Sequence, residues 1–179
     1  MTDDSLLLAA LAVIQARGAI GERSLIAAVR HADRFVALVP AGPQSIVDLG
    51  SGGGLPALVI AWRRDDVIVT MVERRATRAD LLRRAVISLG LGERCTVRDV
   101  DVAVVCEDSR GTFDVVTSRS FSDIATTTGF ADRLLAPGGT ALVSEPPNDR
   151  SDQWAVVLQR HQSLTDGGVE QGIRRLRRS

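Results

Sequence analysis

The sequence predicts an α/β fold, a doubly wound and mostly parallel Rossmann-like sheet behind a short helical lead-in, with antiparallel strands at the C-terminal end. Three observations carry this. β-branched runs alternate with amphipathic stretches from residue 46 onward, and a glycine-rich turn separates the first run from the first amphipathic stretch. The 179 residues, 45% apolar and 25% charged, supply one ordinary hydrophobic core. The chain therefore reads as one domain over 1–179, with a lead-in over 1–42 and a cofactor-binding core over 43–179.

Each element follows from local pattern. Residues 6–39 are rich in Ala and Leu at helical spacing, interrupted at Gly18 and Gly21 and ended by Pro40-Ala41-Gly42-Pro43, which reads as two helices. Ile46-Val47-Asp48-Leu49 is the first strand, and 55–62 is the first helix of the core. A second strand covers 67–72, followed by an amphipathic helix over 76–89 that Gly90 closes. Strands over 94–98 and 113–117, a helix over 122–135 and a strand over 140–144 continue the alternation, the last after the Pro137-Gly138-Gly139 turn. At the end, 154–160 and 169–176 flank Thr165-Asp166-Gly167-Gly168, a good hairpin turn, and read as two antiparallel strands. A short helix over 152–158 is the alternative.

Composition excludes several classes. No apolar run approaches the ~20 residues that span a bilayer. The start, Met-Thr-Asp-Asp, is acidic where a secretory signal carries positive charge, so the expected location is the cytoplasm. Cys95 and Cys106 lie far from His31 and His161 in a spacing that suits no zinc site, so they read as small apolar fillers and no metal is expected. Net charge is zero, yet all 22 basic residues are arginines. Those at 63–64 and 74–84 are balanced by nearby acids, whereas Arg174, Arg175, Arg177 and Arg178 have only Glu170 close in sequence. That terminal cluster is the better candidate for nucleic-acid contact.

The chemistry concentrates at Asp48-Leu49-Gly50-Ser51-Gly52-Gly53-Gly54-Leu55-Pro56, between the first strand and the first crossover helix, where an open α/β sheet presents its ligand crevice. Asp48 ahead of the glycines would repel a pyrophosphate but suits a cofactor bearing an ammonium or sulfonium. Glu73, at the end of the second strand, can accept two hydrogen bonds from ribose hydroxyls. No lysine exists to serve a P-loop. The combination favours S-adenosylmethionine over a dinucleotide; an Asp that only caps a turn, with glycines that only bend the chain, is the plainer alternative.

These residues, together with Val72-Glu73, Thr77-Arg78-Ala79-Asp80-Leu81-Leu82-Arg83, Phe113-Asp114-Val115-Val116-Thr117-Ser118-Arg119-Ser120 and Leu135-Ala136-Pro137-Gly138-Gly139, resemble the RsmG (GidB) family. Arg30-His31 resembles that family's Arg-His pair. The resemblance implies an S-adenosylmethionine-dependent methyltransferase acting on guanine N7 of small-subunit ribosomal RNA, with the ribosomal RNA or the small subunit as partner and a monomer as the working form. It implies a cofactor set of Asp48, Gly50, Ser51, Gly52, Gly54, Leu55, Glu73, Arg78, Asp99 and Val100, a catalytic Arg119 facing the methyl donor, and a substrate contact from His31. Arg174 and Arg175 of the terminal cluster, and Glu145, which can accept hydrogen bonds from a guanine edge or select a cationic or neutral small molecule, are the other expected substrate contacts. The sequence departs from the family at Asp99-Val100-Asp101-Val102 and at Ser144-Glu145-Pro146, where an acid replaces a basic residue. Two other functions stay open on these residues: a small-molecule methyltransferase, and a non-catalytic S-adenosylmethionine-binding module that regulates a partner.

Overall fold

The computed structural model describes residues 4–21, 24–146 and 150–179. Two helices, α1 (Ser5–Ala16) and α2 (Leu25–Leu38), precede the sheet. The chain then alternates through β1 (Gln44–Leu49), α3 (Ala57–Arg63), β2 (Val67–Val72), α4 (Ala76–Ser88), β3 (Cys95–Arg98), α5 (Val102–Asp108), β4 (Phe113–Ser118), α6 (Ile124–Leu134) and β5 (Leu135–Ser144). It finishes with α7 (Ser151–Leu158), β6 (Leu164–Glu170) and β7 (Ile173–Arg178). Strand order is β3-β2-β1-β4-β5-β7-β6. Strands β1 to β5 pair in parallel, and β7 runs antiparallel to both of its neighbours.

The inner strands explain themselves. Ile46, Val47 and Leu49 in β1 and Val115 and Val116 in β4 are buried, because helices cover the sheet on both sides and alternation with polar residues is lost. One core joins the sheet to α1, α2, α3 and α4 through Leu7, Phe35, Leu58 and Leu82. The other joins it to α5, α6 and α7 through Val105, Leu134 and Trp154. Fully burying a side chain of this size contributes ~2 kcal/mol, so the two lead-in helices are held as firmly as the crossover helices. Their connection also seats on the glycine loop: a Cβ added at Gly53 would collide with Ile20 and approach the Ala19 carbonyl to 2.8 Å. Arg63 of α3 clamps the same pair, bonding both Asp4 and Asp33. Among the described residues no helix is long and apolar enough to cross a membrane.

Four local expectations need correction. Residues 154–160 do not form a strand; 151–158 are helical, with Trp154 turned into the core. The last hairpin turns at Gln171 and Gly172, both at positive φ, while Thr165-Asp166-Gly167-Gly168 lies inside β6 as a register irregularity. There the Asp166 side chain accepts the Gly168 N–H at 2.9 Å, which closes a local turn without reversing the strand. Helix α5 also has no counterpart among the elements the sequence predicts; Asp101 caps it by accepting the Ala103 N–H at 2.9 Å. Finally, α3 starts at Ala57 rather than Leu55, and β5 begins at Leu135, upstream of the Pro-Gly-Gly turn.

Strand β7 alternates faces, and this separates the terminal arginines. Arg174 points inward: its side chain is 6% exposed, pairs with Glu145 at 2.6 Å and with Asp166, and lies 5.0 Å from the centre of the Trp154 ring. Arg175 points to solvent. The substrate contacts expected of Arg174 and Glu145 are thereby replaced by an internal ion pair, because two charges this buried persist only when they neutralise each other. Arg174→Ala should lower unfolding free energy by ~3 kcal/mol in urea titration, since it strands Glu145, whereas Arg175→Ala should change it by less than ~0.5 kcal/mol. Equal effects of the two would contradict this placement.

Candidate active site

The order of strands reverses between β1 and β4, whose carboxyl ends open a crevice above the sheet. A cleft of about 460 Å³ lies there, bounded by Gly50, by Val72 to Arg75, by Arg78, by Val100 to Val102 and by Ser120, Phe121, Ser122, Thr126 and Phe130. A wider and shallower groove of about 720 Å³ runs between α1 and α2, but among the described residues its lining is Leu, Ala and Ile with Gln15 and Ser24 as the polar side chains. The smaller cleft holds the chemistry.

Two buried carboxylates stand at neighbouring strand tips; Glu73 lines the cleft and Asp48 does not. Glu73 leaves the tip of β2 and accepts the Gly52 N–H at 3.0 Å through Oε2 and the Arg75 N–H at 2.9 Å through Oε1. Its own N–H donates to the Arg98 carbonyl at 3.0 Å, which ties the tips of β2 and β3 together. Asp48, one strand over and 1% exposed, accepts the Thr117 hydroxyl at 2.6 Å through Oδ1. Its Oδ2 is buried with no hydrogen-bond partner among the described residues. Burial pushes the Asp48 carboxyl up to about 6, against the hydrogen bonds of Thr117 and Ser51 and the positive field of Arg119. The strand tip thus carries an acceptor that lacks a partner.

Gly50, Gly52 and Glu73 converge as the sequence suggests, and Val100 and Arg78 line the cleft with them. Ser51, Gly54 and Leu55 do not reach it: Ser51 donates its N–H to the Val72 carbonyl at 2.8 Å and its hydroxyl to the Asp48 carbonyl at 3.1 Å. A Cβ on Gly54 would strike Leu58, and Leu55 is buried in the core. These three give the loop its path. Asp99 also stands outside, exposed and paired with Arg83 at 2.9 Å, because successive residues leaving a strand tip point to opposite sides. His31 packs edge-on to Phe35 and lies 3.5 Å from the Ser144 hydroxyl at the end of β5. Asp123, an alternative partner for Arg119 by sequence, caps α6 by accepting the Thr126 N–H at 2.8 Å.

Sequence reasoning missed Thr117, Arg74, Arg75, Phe121 and Phe130. A signal existed for the aromatics: the chain has four phenylalanines, two tryptophans and no tyrosine, and one Phe directly follows Ser118-Arg119-Ser120.

A family model described as rRNA small subunit methyltransferase G, GidB, matches residues 11–160, which spans both the lead-in and the cleft. The chain belongs to the GidB family. A ribosomal RNA small subunit methyltransferase G from Acidothermus cellulolyticus is 38% identical over 151 residues, 80% of this chain and 62% of that protein. Its counterpart from Acidiphilium cryptum is 33% identical over 143 residues, 76% of this chain and 63% of the relative. The one from Laribacter hongkongensis is 37% identical over 112 residues, 60% and 50% of the two chains. The GidB chain therefore spans about half to two thirds of the length of these curated relatives. Among solved structures, a methyltransferase from Geobacter sulfurreducens superposes with a TM-score of 0.70 at 18% identity, covering 99% of this chain and 90% of that one. The [4+2]-cyclase SpnF superposes at 0.66 with 24% identity, over 83% and 62% of the two chains. Since a cyclase shares the fold with methyltransferases, the reaction has to be argued from the cleft itself.

Asp48 makes a prediction that separates a ligand site from a structural one. A carboxyl raised from 3.8 to about 6 holds its proton more tightly in the folded state, so its contribution to stability is present below about pH 4 and lost as pH rises through about 6. At neutral pH the ionised group costs the ligand-free fold on the order of 3 kcal/mol. Asp48→Asn, which keeps an acceptor for Thr117, should raise the Tm of ligand-free protein above about pH 6.5, with the gain fading toward about pH 4. A pH-independent difference would show that Asp48 is an ordinary capping residue.

Proposed function

We propose that this chain is an S-adenosylmethionine-dependent methyltransferase that modifies N7 of a guanine in small-subunit ribosomal RNA. The observation that carries the reading is the pair of buried carboxylates at neighbouring strand tips, one fully engaged with backbone N–H groups and the other left with a free oxygen. Each Glu73 oxygen spends one lone pair on a backbone N–H and keeps another, and the residue lines the cleft, which fits the two hydroxyls of a ribose. Asp48 supplies negative potential beneath Gly50, which fits a sulfonium and an ammonium and opposes a pyrophosphate. The donor set fits S-adenosylmethionine. When bound, that cofactor supplies an electrophilic methyl group.

The chain's own residues bind, orient and exclude water. Val100, Val102 and Phe130 give an apolar wall suited to the nucleoside ring, and Arg78 stands at the rim beside Glu73. Guanine N7 carries an in-plane lone pair and no proton, so transfer requires alignment and not a general base. Arg119 follows β4 directly, outside the cleft lining, with its positive field reaching Asp48, which suits it to steadying the acceptor. His31 at the end of β5 and the solvent-facing Arg175 are the side chains available to RNA beyond the cleft. Glu145 is committed to an internal ion cluster with Arg174, which also holds Asp166.

Titration calorimetry with S-adenosylmethionine tests the cofactor first. Glu73→Gln should weaken binding about tenfold, the loss of one charge-assisted hydrogen bond. Incubation of small ribosomal subunits from cells lacking the modification with labelled cofactor should then yield 7-methylguanine in the RNA. Tight cofactor binding with no label in any RNA fraction would replace the enzyme by a cofactor-sensing module.

A further inference from the structure

We infer that Phe121 is the stacking wall for the acceptor base, so that the cleft receives a purine unpaired and swung out of its helix. The inference rests on the methyltransferase reading above and adds a residue to it. Its first support is position. The Phe121 ring lies directly over Gly50, where an added Cβ would collide with it, and both residues line the cleft. Phe130 lines the same cleft, as do Val100 and Val102. A methyl donor whose cationic centre sits over Asp48 presents its methyl near Phe121, and an acceptor must arrive there.

The second support is how the ring is held. Ser120 has φ of 56°, one of two non-glycine residues in the left-handed region among those described. An L side chain occupies that region at a cost of ~1 kcal/mol, and such outliers gather at binding sites. Here the turn redirects the chain leaving β4 so that Phe121 follows Arg119 back over the glycine loop. Phe130 braces the ring from behind, at 6.0 Å between centroids and 59° between planes. Phe121 itself stays partly exposed, unlike the fully buried Phe35 and Trp154. A braced, half-open aromatic face beside a reaction centre is a surface for a planar ring.

The third support is the chemistry of the target. N7 lies on the major-groove edge, which in A-form RNA is deep and too narrow for a protein to enter. A base must therefore leave the stack before its N7 can meet a methyl group held at a strand tip, and bases presented this way are gripped by stacking on aromatic faces.

The test is binding of a short oligouridine RNA with one central guanosine, compared with the same strand carrying an abasic site there, both with S-adenosylhomocysteine present. Wild type should prefer the guanosine strand about tenfold, as one stacked base contributes. Phe121→Tyr should keep the preference and Phe121→Leu, which preserves bulk, should abolish it, while both bind S-adenosylhomocysteine within about twofold of wild type in calorimetry. Retention of the preference in Phe121→Leu overturns the inference. So does a loss of S-adenosylhomocysteine affinity in Phe121→Leu as large as the loss of RNA preference, which would make Phe121 a cofactor contact. A Phe121-dependent guanosine preference without methyl transfer to ribosomal RNA would instead leave the stacking wall standing and bring down only the proposed reaction.

Discussion

The cleft depends on one carboxylate. Glu73 accepts N–H groups from Gly52 in the loop after β1 and from Arg75 ahead of α4, and so reinforces the junction of two strand tips that the β1–β2 ladder and the Ser51 N–H to Val72 carbonyl bond already bring together. Burying a charge is expensive, and charge-assisted bonds to backbone N–H groups offset that cost. The result is a glycine loop held against the tip of β2, with Gly50 lining the crevice. Asp48 shows the opposite arrangement on the adjacent strand: equally buried, half satisfied, and destabilising until something positive joins it. A fold keeps such a group where binding supplies the missing partner.

The ends of the chain meet on the acceptor side of this cleft. Helix α2 reaches the end of β5 through His31 and Ser144, and Arg34 donates to the Gln171 carbonyl at 3.2 Å in the last hairpin. The α1–α2 connection rests on Gly53, so the lead-in props the cofactor loop as well. Strand β7 inserts between β5 and β6, and the buried Arg174 couples Glu145 beyond β5 to Asp166 of β6 and to Trp154 of α7. What looks in sequence like a basic tail is an internal brace on one face and a solvent-facing arginine row on the other.

Local regularities made much of this legible. β-branched runs bounded by glycine and proline located β1 to β4 within two residues, and the acid–glycine–acid spacing pointed to Gly50 and Glu73, which line the cleft. Legibility failed where short-range preference and tertiary demand diverge. Residues 102–106 favour a strand by composition, yet an Asp cap and burial of Val102, Val105 and Cys106 on one side make a helix. Thr165-Asp166-Gly167-Gly168 has turn chemistry, yet pairing with β7 absorbs it as a bulge.

By itself, the sequence determined the alternation of elements, the parallel sheet and the presence of two acids flanking a glycine loop, because these arise from contacts among residues near one another along the chain. Only the tertiary structure decided which oxygen of Asp48 lacks a partner, that Thr117, 69 positions away, engages the other, that Arg174 turns inward, and that Phe121 covers Gly50. Each of those outcomes depends on which strand lies beside which and on the direction a side chain takes at a strand tip. Periodicity along the chain carries neither kind of information.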